Sequence, residues 1–374
     1  MANLASPFTT YSDTTPQKRV ITDYLTLIDP SDAPLVEALG GLDGAAGKFK
    51  FINKGTKPEW LEDTLTPLVG AYSSSTDNTT STATALIVAD PNMFQEGHII
   101  LVDAEQMWIS AVAGATSTLT VTRAYSGTAA THATGSAVTI VGMARLEGDD
   151  SDDIGFTDRT VNSNYTQIFH QEVRVSKTQQ VIDQYGIGDE FDYQAKKAIP
   201  SLMRLVERQL FYGVRGAGSA TTPRGMGGLD TFITDNLVDY GAALEQTAFE
   251  NAVMSAYIDG GTGPWIAPCY PTHLQTIKNF YDSSNFLRVD PSQSQVGMVI
   301  DEVVTPYGNV KLLLDRWAVA TKIALIDPKH AGMLTLRPWT QEPLAQTGDS
   351  IKGEVVGEFT FCLRQDKAHA MLTT

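Results

Sequence analysis

Cysteine is nearly missing from this chain: of 374 residues only Cys269 and Cys362 carry a thiol. Two are too few for a disulfide framework, and each reads as a small buried hydrophobe. Long apolar runs are missing too, with nothing approaching the ~20 residues a membrane-spanning helix needs. The stretch from Met1 to Pro7 has no basic region followed by an apolar core, so a secretory signal is not expected and folding in a cytoplasm is. The six histidines (His98, His132, His170, His273, His330 and His369) are scattered, without His-x-x-x-His or Cys-x-x-Cys spacing, which speaks against the common zinc patterns. The lone Gly47-Lys48 pair runs into Phe49 rather than Ser or Thr, so there is no phosphate-binding P-loop. No Gly-x-Ser-x-Gly nucleophile elbow occurs either. No enzyme activity, cofactor or metal is expected.

Positive charge is also in short supply. Lys and Arg number 27 against 43 Asp and Glu, a net charge of −16. A sequence-reading DNA-binding module would carry a basic stripe, so that class is disfavoured. Enclosing DNA is a different matter, because an acidic lining leaves a packaged polyanion unstuck. The same charge keeps an abundant chain soluble before assembly.

What is present is a globular composition, 42 % apolar, in a chain long enough for two or three lobes. Residues 1–45 read as an arm, broken by Pro7, Pro16, Pro30 and Pro34. Phe49 and Phe51 alternate with Lys48 and Lys50 as in a strand, and lead into Glu59-Trp60-Leu61-Glu62-Asp63-Thr64-Leu65. A matching extended run, Thr160 to Phe169, is expected to pair with it as one long antiparallel ribbon. Such a ribbon is marginal in water without a partner surface.

Between the two runs lies an insert, bounded by the polar linker Ser73–Thr82 and the acidic run Glu147–Asp153. Short β-type segments (Leu86–Val88, Ile99–Val102, Met107–Val112, Leu119–Thr122 and Val138–Val141) alternate with turn signals, which predicts a small all-β barrel or sandwich.

Residues 189–214 carry the strongest helical pattern, with Asp189 as cap and apolar positions from Phe191 to Leu210 at three- and four-residue steps. Pro200 predicts a kink near 196–200, and Gly213 and Gly216 an end. Helices near 244–259 and 272–280, with strands at 265–268, 303, 310–314 and 322–326, form an α/β lobe. Residues 335–374 are expected to return to the first lobe as strands.

Three clusters invite chemistry. The glycines from Gly213 to Gly228 suit an anion cradle, but a crossover between lobes is the plainer reading. The carboxylates at 147–153 suit a hard cation such as calcium, yet lack the EF-hand order, and read as a solvated hinge. Glu59, Glu62 and Asp63 beside Trp60 resemble a sugar-binding or acid/base group. The nearby Lys48, Lys50, Lys54 and Lys57 favour an intersubunit charge strip.

The order of these parts is similar to that of tailed-phage major capsid proteins with the HK97-type fold, in the SU10-like family. The residues that carry the resemblance are Glu59 to Leu65, Asn164-Tyr165-Thr166-Gln167-Ile168-Phe169, Val175-Ser176, Met226-Gly227-Gly228-Leu229, and the terminal run from Leu336-Arg337-Pro338-Trp339 through Thr347-Gly348-Asp349 to Glu358. The insert resembles β-rich insertion domains of that family in Gly97, Glu105-Gln106-Met107, Thr118 to Arg123 and Gly127-Thr128.

The resemblance implies an α+β HK97-type capsid fold with an inserted small all-β domain. Its parts are an N-terminal arm (1–45), an extended loop that ascends (46–79) and returns (147–178) around the insert (80–146), a peripheral domain with the spine helix (179–229) closed by strands (335–374), and an axial domain (230–334). It implies hexamers and pentamers closing an icosahedral shell around double-stranded DNA, without sequence-specific binding or a membrane, in a virion assembled in host cytoplasm. Scaffold, portal and decoration proteins are the implied partners, the scaffold as a separate chain. No residue supports covalent crosslinking. Glu59, Trp60, Glu62, Asp63, Tyr165, Phe169, Lys54 and Lys57 are the candidate intersubunit contacts, with the three aromatics as anchors. For the insert, a surface stabiliser touching neighbouring capsomers is the plainer role and host or glycan attachment the sharper one. An encapsulin-like compartment is the alternative function, and a carbohydrate-active enzyme the reading from another class.

Overall fold

The computed structural model describes residues 31–44, 55–73, 82–148, 157–282, 302–346 and 348–374. Expectations for the arm upstream of 31, for Phe49, Phe51 and Lys54, and for most of the acidic run lie outside these residues. The chain forms two compact units, Leu61–Val161 and the remainder.

In chain order the elements begin with α1 (Pro34–Ala38), β1 (Glu59–Glu62), β2 (Val69–Ala71), β3 (Ala85–Ile87), β4 (His98–Val102), β5 (Glu105–Ala113), β6 (Thr118–Ser126) and β7 (Ala137–Met143). Then come β8 (Thr160–Ser163), β9 (Gln167–Ser176), α2 (Lys177–Val181), α3 (Glu190–Tyr212), α4 (Leu229–Phe232), β10 (Leu237–Asp239), α5 (Gln246–Ile258), β11 (Trp265–Cys269) and α6 (Pro271–Asp282). Last are β12 (Glu302–Thr305), β13 (Gly308–Leu314), β14 (Lys322–Leu325), β15 (Ala331–Leu344), β16 (Ser350–Leu363) and β17 (Ala370–Thr373).

The unit Leu61–Val161 is a six-stranded antiparallel sheet in the order β2-β7-β4-β5-β6-β3. Its ends meet. Tyr72 bridges Val88, Ser73 N–H donates to Ile87 O at 2.9 Å, and Ala89 N–H to Ala71 O at 3.0 Å. The sheet therefore closes into a small barrel, which leaves it without a free edge. Alternate residues point inward, so Leu86, Ile100, Val102, Met107, Ile109, Leu119, Val121 and Val138 form one core. The barrel takes its first strand, β2, from before the polar linker, because Val69–Ala71 pairs with Ala137–Thr139. The expected start of the insert at residue 80 is corrected accordingly.

In the other unit, α3 packs Ala195, Ala198, Leu202, Val206 and Leu210 inward at three- and four-residue spacing, as an amphipathic helix must. Asp189 Oδ1 accepts the Asp192 N–H at 2.9 Å, and the helix runs on through Pro200. Gly213 ends it at a close approach: a Cβ there would sit 2.5 Å from Met226 O. The helix covers the sheet β15-β16-β9, and together they enclose the first core.

A second core gathers Phe249, Val253, Trp265, Ile277, Val303 and Val310 from α5, α6 and the sheet β11-β13-β12. The sheet β10-β17-β14 lies between the cores and serves both. Ile323, Leu325, Ala370 and Leu372 face the second core, while the alternating Ala324, Ile326 and Met371 face the first. β17 thus departs from the expectation that all of 335–374 rejoins the first lobe. Its partners are β10 and β14, because a strand apolar on both faces is best buried between two cores. His369, just before it, is a satisfied core histidine: Nδ1 accepts Asp327 N–H at 3.0 Å and Nε2 lies 3.1 Å from Arg364 O.

Candidate assembly interface

The ribbon is real but shorter than expected. β1 pairs with β8, and the pairing continues inward as Asn164 N–H donates to Pro58 O at 3.2 Å and Thr166 N–H to Thr56 O at 3.0 Å. Past Thr166 the returning run leaves it. β9 instead pairs with β16 in an unbroken register from Phe359↔Gln167 to Ser350↔Ser176. The physical reason is burial. Phe169, Val173 and Val175 alternate along β9 and fill the first core, which a solvated ribbon cannot offer them.

The candidate residues separate into two groups. Trp60 is only 5 % exposed, its ring tilted against Phe232 at 5.7 Å, and Phe232 in turn meets Phe361 at 6.1 Å. Phe169 is buried against Phe359 at 6.3 Å. Both aromatics fasten the chain to its own core, and their buried rings leave little for a neighbour to touch. Tyr165 is half-buried.

The charged candidates stay near solvent. Lys57 Nζ pairs with Glu59 at 2.5 Å, and that hydrogen bond raises the lysine above its ordinary range. Arg159 lies 3.5 Å from Asp63, whose Oδ1 also accepts the Thr64 N–H at 3.0 Å. The Glu62 carbonyl accepts from the Thr160 hydroxyl at 3.5 Å.

Sequence reasoning missed the exposed apolar groups beside them. Leu65 is 93 % exposed, Val161 62 % and Leu61 60 %. Their signal was present in the two runs, but alternation alone does not say which face a ribbon leaves bare.

It also missed the network at the ribbon's root. Asn164, fully buried, donates to Gly227 O at 3.1 Å and Phe361 O at 2.7 Å, and accepts the Gly227 N–H at 2.9 Å. Glu358 Oε1 accepts from the Thr166 hydroxyl at 2.5 Å and from Arg224 at 2.8 Å. Gln167 Oε1 accepts the Met226 N–H at 2.9 Å. These donors and acceptors satisfy a buried junction that would otherwise strand several polar groups.

Elsewhere on the first core, the segment 32–42 is strapped down. Glu207 of α3 accepts the N–H groups of Leu35 at 2.6 Å and Val36 at 3.0 Å. Arg316 meets Asp32 at 3.0 Å, Trp317 Nε1 donates to Asp32 O at 3.0 Å, and the Thr335 hydroxyl donates to Leu42 O at 3.1 Å. Burial, helped by the charge of Asp315, pushes the Glu207 carboxyl up to about 8 despite its two backbone donors.

No group of His, Cys, Asp or Glu suited to a metal exists among the described residues, and none of their helices is long and apolar enough to cross a membrane. Residues 8–374 match the SU10 major capsid protein family. The chain belongs to that family. The fold is the HK97-type capsid fold, and the protein is a capsid shell protein.

Among solved structures, the capsid asymmetric unit of cyanophage A-1(L) is 11 % identical, with 98 % of this chain and 99 % of that chain covered and a TM-score of 0.57. That likeness bears on fold alone. A chain from Mycobacterium phage Bobi is 9 % identical over 98 % of this chain and 99 % of that chain, TM-score 0.49. The holo-SrpI encapsulin complex of Synechococcus elongatus PCC 7942 is 13 % identical over 58 % of this chain and 77 % of that chain, TM-score 0.43. No curated protein matches the capsid chain.

Proposed function

We propose that this capsid protein forms hexamers and pentamers that close an icosahedral head around double-stranded DNA, assembled in the host cytoplasm. In this reading the ribbon is laid over a neighbouring copy. The observation that carries it is the exposure of the apolar Leu61, Leu65 and Val161, close in sequence to the charges of Lys57, Glu59, Glu62 and Asp63. Apolar groups so exposed on a thin ribbon need a covering partner, and the flanking charges set its register. Tyr165 belongs to that contact. Trp60 and Phe169 act from inside, by fixing the ribbon's root to the first core.

The barrel is proposed as a surface stabiliser between neighbours, and scaffold, portal and decoration proteins as partners supplied by other chains. Negative-stain electron microscopy with sedimentation, on the chain alone and coexpressed with its neighbouring genes, tests the assignment. Closed shells or free capsomers are expected. A stable monomer under both conditions would sink it, and shells filled with a cargo enzyme rather than DNA would turn the reading to an encapsulin-like compartment.

A further inference from the structure

The exposed side of α3 is basic. Lys197, Ser201, Arg204 and Arg208 recur at four-, three- and four-residue steps, so they form one stripe about 17 Å long, turned away from the buried Ala198, Leu202, Val206 and Leu210. Lys196 is exposed beside it. From Tyr193 to Tyr212 the helix has one acidic residue, Glu207, which is buried and holds the Leu35 and Val36 N–H groups. Glu190, at the helix start, accepts from Gln194 at 2.7 Å, and Asp32 is taken by Arg316.

Both guanidinium groups lie on aromatic rings. Arg204 sits 5.9 Å over Trp317 and Arg208 5.8 Å over Tyr212, and Arg204 also donates to the Ser201 hydroxyl at 3.2 Å. A ring face orients a cation without cancelling its charge.

The far side of the same layer differs in sign. α3 packs over one face of β15-β16-β9, where a Cβ on Gly353 would meet Phe191 of the helix at 2.5 Å. On the other face Glu342, Glu354 and Glu172 stand directly opposite one another across the three strands, with Lys352 and Arg174 in the next row.

We propose that the helix side of this layer faces the enclosed nucleic acid, and that Lys197, Arg204 and Arg208 contact phosphates of duplex DNA without reading its sequence. The proposal rests on the shell reading of the chain and adds which face turns inward. Charge selects the partner. At a net charge of −16 the chain at large repels a polyanion, so contact is confined to this stripe. The carboxylate row of a second copy is the competing occupant. That row is interrupted by neighbouring cations, with Glu354 already met by His170 at 3.0 Å, whereas a phosphate chain is anionic throughout.

Fluorescence anisotropy of a labelled DNA duplex of arbitrary sequence, titrated with the full unassembled chain at low salt, tests this without any shell. Failure to assemble and failure to bind are then separate results. Binding should be weak and indifferent to sequence, with log K falling against log salt at a slope of about −3 for three phosphates. Lys197→Glu and Arg208→Glu should each weaken binding severalfold and reduce the slope by about one, with unfolding midpoints unchanged because both side chains are exposed. Lys311→Glu, an equal change of net charge at an exposed position of β13, should bind as wild type does. No binding by the wild-type chain, or an equal loss in Lys311→Glu, would overturn the proposal. Self-association that disappears in Arg208→Glu while DNA binding persists would also overturn it, and would assign the stripe to a second copy.

Discussion

The side-chain amide of Asn164 pairs with both backbone polar groups of Gly227, accepting its N–H at 2.9 Å and donating to its carbonyl at 3.1 Å. The same amide nitrogen reaches Phe361 O at 2.7 Å. One residue thus ties the ribbon's root, the crossover after α3 and the closing strand β16. The fit depends on the glycine, since a Cβ at Gly227 would sit 3.0 Å from Arg215 Cβ and 3.1 Å from Thr231 Cγ2. Asn164→Asp turns the donor toward two carbonyls into an acceptor, which should cost about 3 kcal/mol or more. Asn164→Ala, which leaves the Gly227 N–H and both carbonyls without this partner, should cost about 2–3 kcal/mol. Denaturant unfolding measures both, and a loss below about 1 kcal/mol in each would show that the junction is not cooperative.

Trp60→Ala removes a ring packed on Phe232 inside the first core, so about 3–5 kcal/mol of stability should be lost. Any failure to assemble in this variant then reflects a loosened fold first. Unfolding midpoints of the soluble chain decide it: an unchanged midpoint with assembly abolished would restore Trp60 as a direct contact to a neighbour.

The helical repeat of α3, its Asp189 cap and the short strands of the barrel were legible because each rests on local periodicity and turn chemistry. The motifs Asn164-Tyr165-Thr166-Gln167 and Met226-Gly227-Gly228 were legible as blocks, but not as partners. Their contact spans about 60 residues, and local pattern carries no such information. The destination of β9 was misjudged for a related reason. Its alternation fits a ribbon and a sheet equally, and only the presence of β16 and α3 decides. Closure of the barrel by β2 was hidden by the polar linker, which looked like a boundary yet follows β2 in the sequence. The hold of Glu207 on Leu35 and Val36 had no signal at all, since a glutamate in a helix reads as a solvated charge until the segment 32–42 covers it.

The exposed Leu61, Leu65 and Val161 should govern assembly without governing folding. Leu65→Asp changes a side chain that is 93 % exposed, so the unfolding free energy should move by less than about 0.5 kcal/mol. Exchanging Lys57 and Glu59 (Lys57→Glu with Glu59→Lys) keeps the pair within the chain but reverses the polarity a neighbour meets. Both variants should give folded chains with sharply reduced shells in sedimentation. Wild-type particle yield from both would remove the ribbon from the contact surface.

Deletion of the barrel must respect its strands. Removing 80–146 leaves β2 without β7 and exposes Tyr72, whereas removing Leu68–Leu146 with a short Gly-Ser bridge takes the barrel out whole. The first deletion should aggregate and the second stay soluble. Shells from the clean deletion that break at lower temperature would fit the stabiliser role. Shells of unchanged durability would leave the barrel without a part in holding them together.

Inside the barrel, Glu105 is the most heavily bonded carboxylate described. Burial alone would push it up, but Arg123 at 2.7 and 2.8 Å, the N–H groups of Ala130 at 3.0 Å and Ala124 at 2.9 Å, and His132 at 3.1 Å outweigh that. They hold it at about 2, below the ordinary glutamate value of 4.5. A depressed folded pKa contributes stability that is present above the ordinary value and lost as pH falls through the folded one. The barrel should therefore lose about 3 kcal/mol between about pH 5 and about pH 2. Arg123→Ala strands the buried carboxylate and should cost about 3–5 kcal/mol already at neutral pH. It should also flatten the acid dependence, because the carboxyl then titrates nearer its ordinary range. Tryptophan fluorescence at Trp108, whose indole N–H donates to Ala144 O at 2.9 Å within the same barrel, reports its opening. An Arg123→Ala barrel as stable as wild type at neutral pH would mean that the remaining donors hold Glu105 unaided.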